Sequence, residues 1–288
     1  MNGKIVVRGL LITGFLAFAG NISCGNRDEA YKKPESFIVD PDTGEYFVSN
    51  VNGVPIEMDK NGYITKLDKN LKIIKQEFIK SSDGGVDLNA PKGLAIIGDI
   101  LYVTDIVSIR GYNKKTGENV ADISLKDKGA DFLNDITADK YGNLFASDMN
   151  ANIIFKIDTV NGNKISEFFK GDALERPNGL VFDTKTGDLI VASFEGKILN
   201  ISKDGKIASY IEKNFVALDG IDFDNDGNLY VSSFQEGEIY KITPDKQVTT
   251  IKKGLKSPAD ISVDKAKNLL LIPLMGADKI ETFDLKSK

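Results

Sequence analysis

Short apolar runs with period-2 alternation recur six times along the chain, each followed by a polar turn and a second apolar run. The six units open on Pro34-Glu35-Ser36-Phe37, Pro91-Lys92-Gly93-Leu94, Leu133-Asn134-Asp135-Ile136, Pro177-Asn178-Gly179-Leu180, Leu218-Asp219-Gly220-Ile221 and Pro258-Ala259-Asp260-Ile261. Their second runs end on Asn50, Asp105, Asp148, Ser193, Ser233 and Pro273. In the fifth unit Ile221 and Phe223 alternate with polar neighbours, residues 224–228 carry turn chemistry, and further strand signals follow at 229–232, 237–242 and 247–251. The third signal recurs at 62–67, 109–113, 153–157, 196–201 and 279–283.

Counted from the second residue of each unit, the steps are 57, 42, 44, 41 and 40 residues, the long first one marking an insertion. Four antiparallel strands recurring at about 40 residues signal a propeller blade. The expected fold is therefore all-β, a six-bladed β-propeller of four-stranded antiparallel blades over residues 34–288. The sixth unit runs out after its third strand, and the segment around 28–33 is the candidate for its fourth.

In an antiparallel hairpin the start of the first strand lies beside the end of the second. The second-position row (Glu35, Lys92, Asn134, Asn178, Asp219 and Ala259) thus shares one mouth of the ring with the second-strand ends. Four of those six are oxygen donors. Taken singly, an Asn-Gly or Asp-Gly before a strand is an ordinary turn, but four donors at equivalent positions of a closed ring converge. Two carboxylates and two amides suit one hard divalent cation, Ca2+ first, with Mg2+ or Mn2+ behind it and Zn2+ left open. The two carboxylates cancel its charge.

Lys92 shares the row as either a surface lysine or a clamp on an anionic substrate or a developing oxyanion. Asp105 and Asp148 end second strands on the same mouth and are candidates to hydrogen-bond a ligand or water. A second calcium motif fails: Asp222, Asp224 and Asp226-Gly227 mimic an EF-hand opening, but Ser233 stands where a bidentate Glu is required. The insertions at 52–55 and 81–89 are long enough to fold over the mouth as a lid or to remain surface loops.

Composition narrows the chemistry further. The chain has no histidine, which excludes Ser-His-Asp triads, Cys-His pairs and His-ligated zinc. One cysteine excludes an intramolecular disulfide. The net charge is −5 with lysines interspersed among acids, so no basic track for nucleic acid is expected. At the amino terminus, Lys4 and Arg8 precede an uncharged apolar run over 9–20. Its length of about 12 residues suits a secretory signal rather than a membrane span. Residues 1–23 read as a lipoprotein-type signal peptide, with Cys24 as the first, lipidated mature residue and 24–33 as a polar tether. The expected product is exported and membrane-anchored through Cys24, facing the periplasm or cell exterior; cleavage after Ala17-Phe18-Ala19 gives the soluble, secreted alternative.

Glu35-Ser36 ahead of Val39-Asp40 and Phe47-Val48, Asn134-Asp135, Arg176-Pro177-Asn178-Gly179-Leu180 and Asp219-Gly220-Ile221 resemble, in order, the motifs of the gluconolactonase / senescence-marker-protein (regucalcin-like) family. The resemblance covers roughly residues 34–275. It implies one divalent cation held by Glu35, Asn134, Asn178 and Asp219, and hydrolysis of a lactone whose carbonyl the metal polarises while Asp219 assists the attacking water. Two residues before Asn134, where the family pattern has a substrate-contacting Arg, this chain has Phe132, which implies a less polar lactone or ester. The resulting expectation is a metal-dependent hydrolase of the sugar-lactone lactonase type. Asp219 is its general base, and Lys92, Asp105, Asp148 and Phe132 are its substrate contacts. The alternative is a non-catalytic, calcium-stabilised ligand-binding or interaction propeller. No protein partner is inferred.

Overall fold

The computed structural model describes residue 1, residues 30–81 and residues 86–286; the proposed signal, Cys24 and residues 25–29 of the tether lie outside the described residues. Six antiparallel sheets follow one another along the chain. The first holds β1 (Pro34–Val39), β2 (Tyr46–Asn50), β3 (Tyr63–Leu67) and β4 (Ile73–Lys80). The second holds β5 (Pro91–Ile97), β6 (Ile100–Asp105), β7 (Ser108–Asn113) and β8 (Asn119–Ser124). The third holds β9 (Leu133–Ala138), β10 (Asn143–Asp148), β11 (Ile153–Asp158) and β12 (Lys164–Lys170). The fourth is β13 (Pro177–Phe182), β14 (Leu189–Ser193), β15 (Ile198–Ile201) and β16 (Ile207–Ser209). The fifth is β17 (Leu218–Phe223), β18 (Leu229–Ser233), β19 (Glu238–Ile242) and β20 (Val248–Lys252). The sixth has three described strands, β21 (Ser262–Asp264), β22 (Leu269–Leu274) and β23 (Lys279–Asp284). This is a six-bladed β-propeller.

Burial grades outward through each blade. Strands β2, β10, β14 and β18 are buried at every residue, whereas β4 is exposed at six of its eight. The inner strands therefore read as continuous apolar runs, because neighbouring blades cover both of their faces. Between the fourth and fifth blades, Ile190, Ala192 and Ile198 pack with Leu218, Ile221, Leu229 and Val231. Each such side chain contributes about 1.5–3 kcal/mol on burial.

The ring closes between β1 and β21. Asp260 N donates to Glu35 O at 2.9 Å, Ser262 Oγ donates to Phe37 O at 2.6 Å, and Tyr46 Oη donates to Asp264 Oδ2 at 2.7 Å. Residues 30–33 sit where the first and last blades meet, and Ala30 and Tyr31 border a cavity also lined by Lys279, Ile280, Glu281 and Thr282 of β23. Ala30 and Tyr31 pack with Phe37, Tyr46, Leu67 and Leu271, while the carbonyls of Lys32 and Lys33 accept from Asn52 N and Val51 N. They clasp the end of β2 to Asp278, whose Oδ1 accepts from Lys33 N at 2.6 Å.

Candidate metal centre

A backbone irregularity positions the row of second-position residues. In the first five blades the pairing of the two inner strands slips between the first and fourth residues of the unit, at 34/37, 91/94, 133/136, 177/180 and 218/221. The second and third residues fall inside that bulge. A bulge bends its strand and re-aims a side chain, and here it does so once per blade. The alternation of the sequence gives no sign of it.

Hydroxyl groups on the second strands hold the bulges. Ser147 Oγ accepts from Asp135 N at 3.0 Å in its own blade and donates to Asn178 O at 2.7 Å in the next. Ser232 Oγ repeats this, accepting from Gly220 N at 2.8 Å and donating to Ala259 O at 2.7 Å. Thr104 Oγ1 donates to Asn134 O, and Ser49 Oγ accepts from Ser36 N at 2.8 Å. The sequence signal was a Ser or Thr just before the last residue of four second strands. Packing at the axis is equally tight. A Cβ on Gly179 would lie 2.2 Å from Asp219 O, and one on Gly220 would lie 2.1 Å from Ile261 N.

Glu35, Asn134, Asn178 and Asp219 are all buried, between 1% and 6% exposed. Each has one buried oxygen without a hydrogen-bond partner: Glu35 Oε2, Asn134 Oδ1, Asn178 Oδ1 and Asp219 Oδ1. Asn178 Nδ2 donates to Leu218 O at 3.2 Å, which fixes which end of that amide is the free acceptor. Leaving a buried acceptor unmatched costs about 1–3 kcal/mol, and here four occupy equivalent ring positions. Burial, then the charges of Asp219 and Asp260, hold the Glu35 carboxyl well above the usual carboxylate range. Burial, then Asp260, does the same to Asp219. A divalent cation bound there would answer both features, because it accepts lone pairs and reverses the electrostatic penalty. Among the described residues no three acidic or thiol side chains gather as a metal-binding group. Amide oxygens must therefore complete such a set.

Lys92 is 2% exposed. Its Nζ donates to Ala90 O at 3.1 Å and stands over the Phe132 ring at 4.6 Å from the centroid. Burial pulls its pKa down to about 8 against the opposing pull of Glu35, Asp105 and Asp148.

Asp105 and Asp148 spend their oxygens on the backbone. Asp105 Oδ1 accepts from Ala90 N at 2.8 Å, and its Oδ2 accepts from Asn89 N at 3.1 Å and Asn89 Nδ2 at 3.0 Å. Asp148 Oδ2 accepts from Asp131 N at 2.7 Å and Phe132 N at 3.1 Å, and its Oδ1 from Ala151 N at 2.8 Å. These two carboxylates shape the segment that enters β5 just before Lys92 and the loop that carries Phe132.

Beneath the row lies a second layer of acids, Asp135, Asp222 and Asp260. Asp135 accepts from Ile136 N and Leu180 N, both at 2.6 Å, and Asp222 accepts from Phe223 N and Val263 N, both at 2.7 Å. Asp260 is pushed up to about 7, chiefly by burial. All three border a cavity of about 340 Å³ formed by the far ends of the innermost strands. The aligned third position (Ser36, Gly93, Asp135, Gly179, Gly220, Asp260) was the available signal. The EF-hand mimic folds as a hairpin turn, with Asp224 Oδ1 accepting from Asp226 N and Asn228 N, both at 2.9 Å. The 81–89 insertion is tied to the turn ahead of β3 through Gly62 N to Leu88 O at 3.2 Å and Lys60 N to Asn89 Oδ1 at 3.2 Å; residues 82–85 lie outside the described residues.

No family model matches the chain. Among solved structures it is similar to virginiamycin B lyase from Staphylococcus aureus, with a TM-score of 0.61 and 20% identity over 91% of this chain and 87% of that one. That lyase is also known as a catalytically inactive histidine-to-alanine variant with quinupristin. A structural-genomics protein of unknown function from Bacteroides thetaiotaomicron gives a TM-score of 0.68 at 13% identity, over 88% of this chain and 70% of that one. Strictosidine synthase-like 11 of Arabidopsis thaliana is 30% identical over 135 residues, 38% of this chain. The match spans about two-fifths of that protein's own length (41%). The structural likenesses show the propeller fold, and proteins named as enzymes are among its neighbours.

Proposed function

We propose that the protein holds one divalent cation, calcium first, on Glu35, Asn134, Asn178 and Asp219, and hydrolyses a lactone or related ester at that mouth. The observation that carries the reading is the set of four orphaned, buried oxygens, one from each of four blades. The motifs resembling the gluconolactonase / senescence-marker-protein family supply the reaction class. When bound, the cation supplies Lewis acidity toward an acyl oxygen and acidifies water.

The chain's own residues do the rest. Asp219 takes a proton from the attacking water as its oxygen bonds to the acyl carbon. The acyl C–O bond then breaks, and the proton passes to the released alkoxide, giving a hydroxy acid. Phe132 offers an apolar wall, and Lys92 a fixed positive charge. Asp105 and Asp148 position those two side chains through the loops they hold. In this reading the enzyme is exported and tethered by lipid on Cys24.

A lyase chemistry borrowed from the structural neighbours fits less well. A histidine-to-alanine variant of the staphylococcal lyase is catalytically inactive, and this chain contains no histidine to fill such a role. The test is a screen of lactones and esters with calcium- or manganese-loaded protein. Turnover of at least one substrate is expected, with Asp219→Asn lowering kcat by about 10²-fold or more. Cation binding without turnover of any substrate would leave the calcium-stabilised, non-catalytic propeller in place of the hydrolase.

A further inference from the structure

Two lysines are buried to the same depth, Lys92 and Lys114 at 2% exposed, and they are treated very differently. Lys114 Nζ meets Asp40 Oδ1 and Asp42 Oδ2, each at 2.8 Å. Lys92 makes no ion pair among the described residues; its one hydrogen bond goes to a neutral carbonyl, Ala90 O. An ammonium carries three N–H donors, so two remain for a ligand. Burying such a charge without a partner is costly unless something else completes it.

The surroundings keep Lys92 where it is. Phe132 covers one side of the ammonium. Asp105 fixes Asn89 and Ala90, the residue whose carbonyl holds Nζ, and Asp148 fixes Phe132. These two carboxylates also attract Lys92 through space, but their oxygens are already engaged by N–H groups. Lys92 occupies the second position of its blade, between Glu35 and Asn134 in the row. A divalent cation on Glu35 and Asp219 offsets their charge and leaves the ammonium with no carboxylate in hydrogen-bond contact among the described residues.

We infer that the mouth recognises an anionic ligand, with a carboxylate of the lactone or ester seated on Lys92 and its apolar remainder against Phe132. This rests on the cation reading above. Hydrogen bonds to a charged partner are worth about 1.5–3 kcal/mol, which corresponds to tenfold or more in affinity.

The probes are tetrahydrofuran-2-carboxylate and its neutral methylamide, which mimic the ring without being hydrolysed. Titration calorimetry with the calcium-loaded protein is expected to show the carboxylate binding at least tenfold more tightly than the amide. The preference should disappear in Lys92→Met and survive in part in Lys92→Arg, with calcium still bound by both variants. Equal binding of the two probes by the wild-type protein, binding of neither, or a preference that persists in Lys92→Met would overturn the inference. Failure to bind calcium at all would instead overturn the cation reading. The wild-type comparison does not depend on how well any variant folds.

Discussion

Replacing Asp219 by asparagine separates a ligand-binding acid from a structural one, because the two roles shift stability in opposite directions. Asp219 is buried, and burial together with the charge of Asp260 makes its ionised form unfavourable. Without a cation, Asp219→Asn removes that repulsion at constant shape and should raise the melting temperature. With a cation the sign reverses. Calcium at a hundred times its Kd stabilises the wild-type fold by about 2.7 kcal/mol. For a domain of roughly 250 residues this is a rise of about 5–11 °C. The variant has one carboxylate and three amides and should lose most of that rise. The assay is differential scanning calorimetry of both proteins in chelator and in saturating calcium. If Asp219→Asn melts below the wild type in chelator and still gains the full calcium shift, Asp219 is a fold-supporting acid and the reasoning fails.

Stability of the cation-free protein should also fall as pH rises. The folded-state pKa values of Glu35, Asp219 and Asp260 lie above their unfolded values, with Asp260 near 7. The folded state therefore binds more protons, and stability is lost from the unfolded carboxylate range near pH 4 up to about pH 7. Melting curves from pH 4.5 to 7.5 should show this slope in chelator and a much flatter one in calcium; equal slopes would contradict it. Gly220→Ala should destabilise by about 2–3 kcal/mol in urea titrations, since its Cβ would meet the Ile261 backbone; a neutral result would mean the axis is looser than described. Lys114→Met should cost about 1.5–3 kcal/mol by removing its charged hydrogen bond to Asp40, yet leave calcium affinity unchanged, and a loss of affinity would place Lys114 in the site's support.

The propeller was legible because each blade repeats the same two periodicities, and the third strands fall within two residues of their sequence signals in every blade. The second-position row was legible for the same reason: equivalence in the repeat becomes equivalence around the axis. What escaped depends on partners rather than on pattern. The bulges arise between strands, and the Ser147 and Ser232 hydroxyls act across a blade boundary. Asp105 and Asp148 stand at strand ends whether they face a ligand or brace a loop, and only the hydrogen bonds distinguish these uses. Asp260 follows Ala259, which offers no donor to the row, and its burial depends on the closure of the ring rather than on any local pattern. Strand counting leaves the outer side of the last blade open, and Ala30 and Tyr31 pack in a cluster that Leu271 of β22 and Ile280 of β23 also join.

The account turns on whether one ion sits among four side chains separated by up to 184 residues of chain, from Glu35 to Asp219. Crystals grown with manganese in place of calcium report this directly through the anomalous signal of the metal. One strong peak on the propeller axis is expected, with Glu35, Asn134, Asn178 and Asp219 oxygens as its protein ligands. A fully manganese-soaked crystal with no peak there, or with its peak elsewhere, would contradict the account.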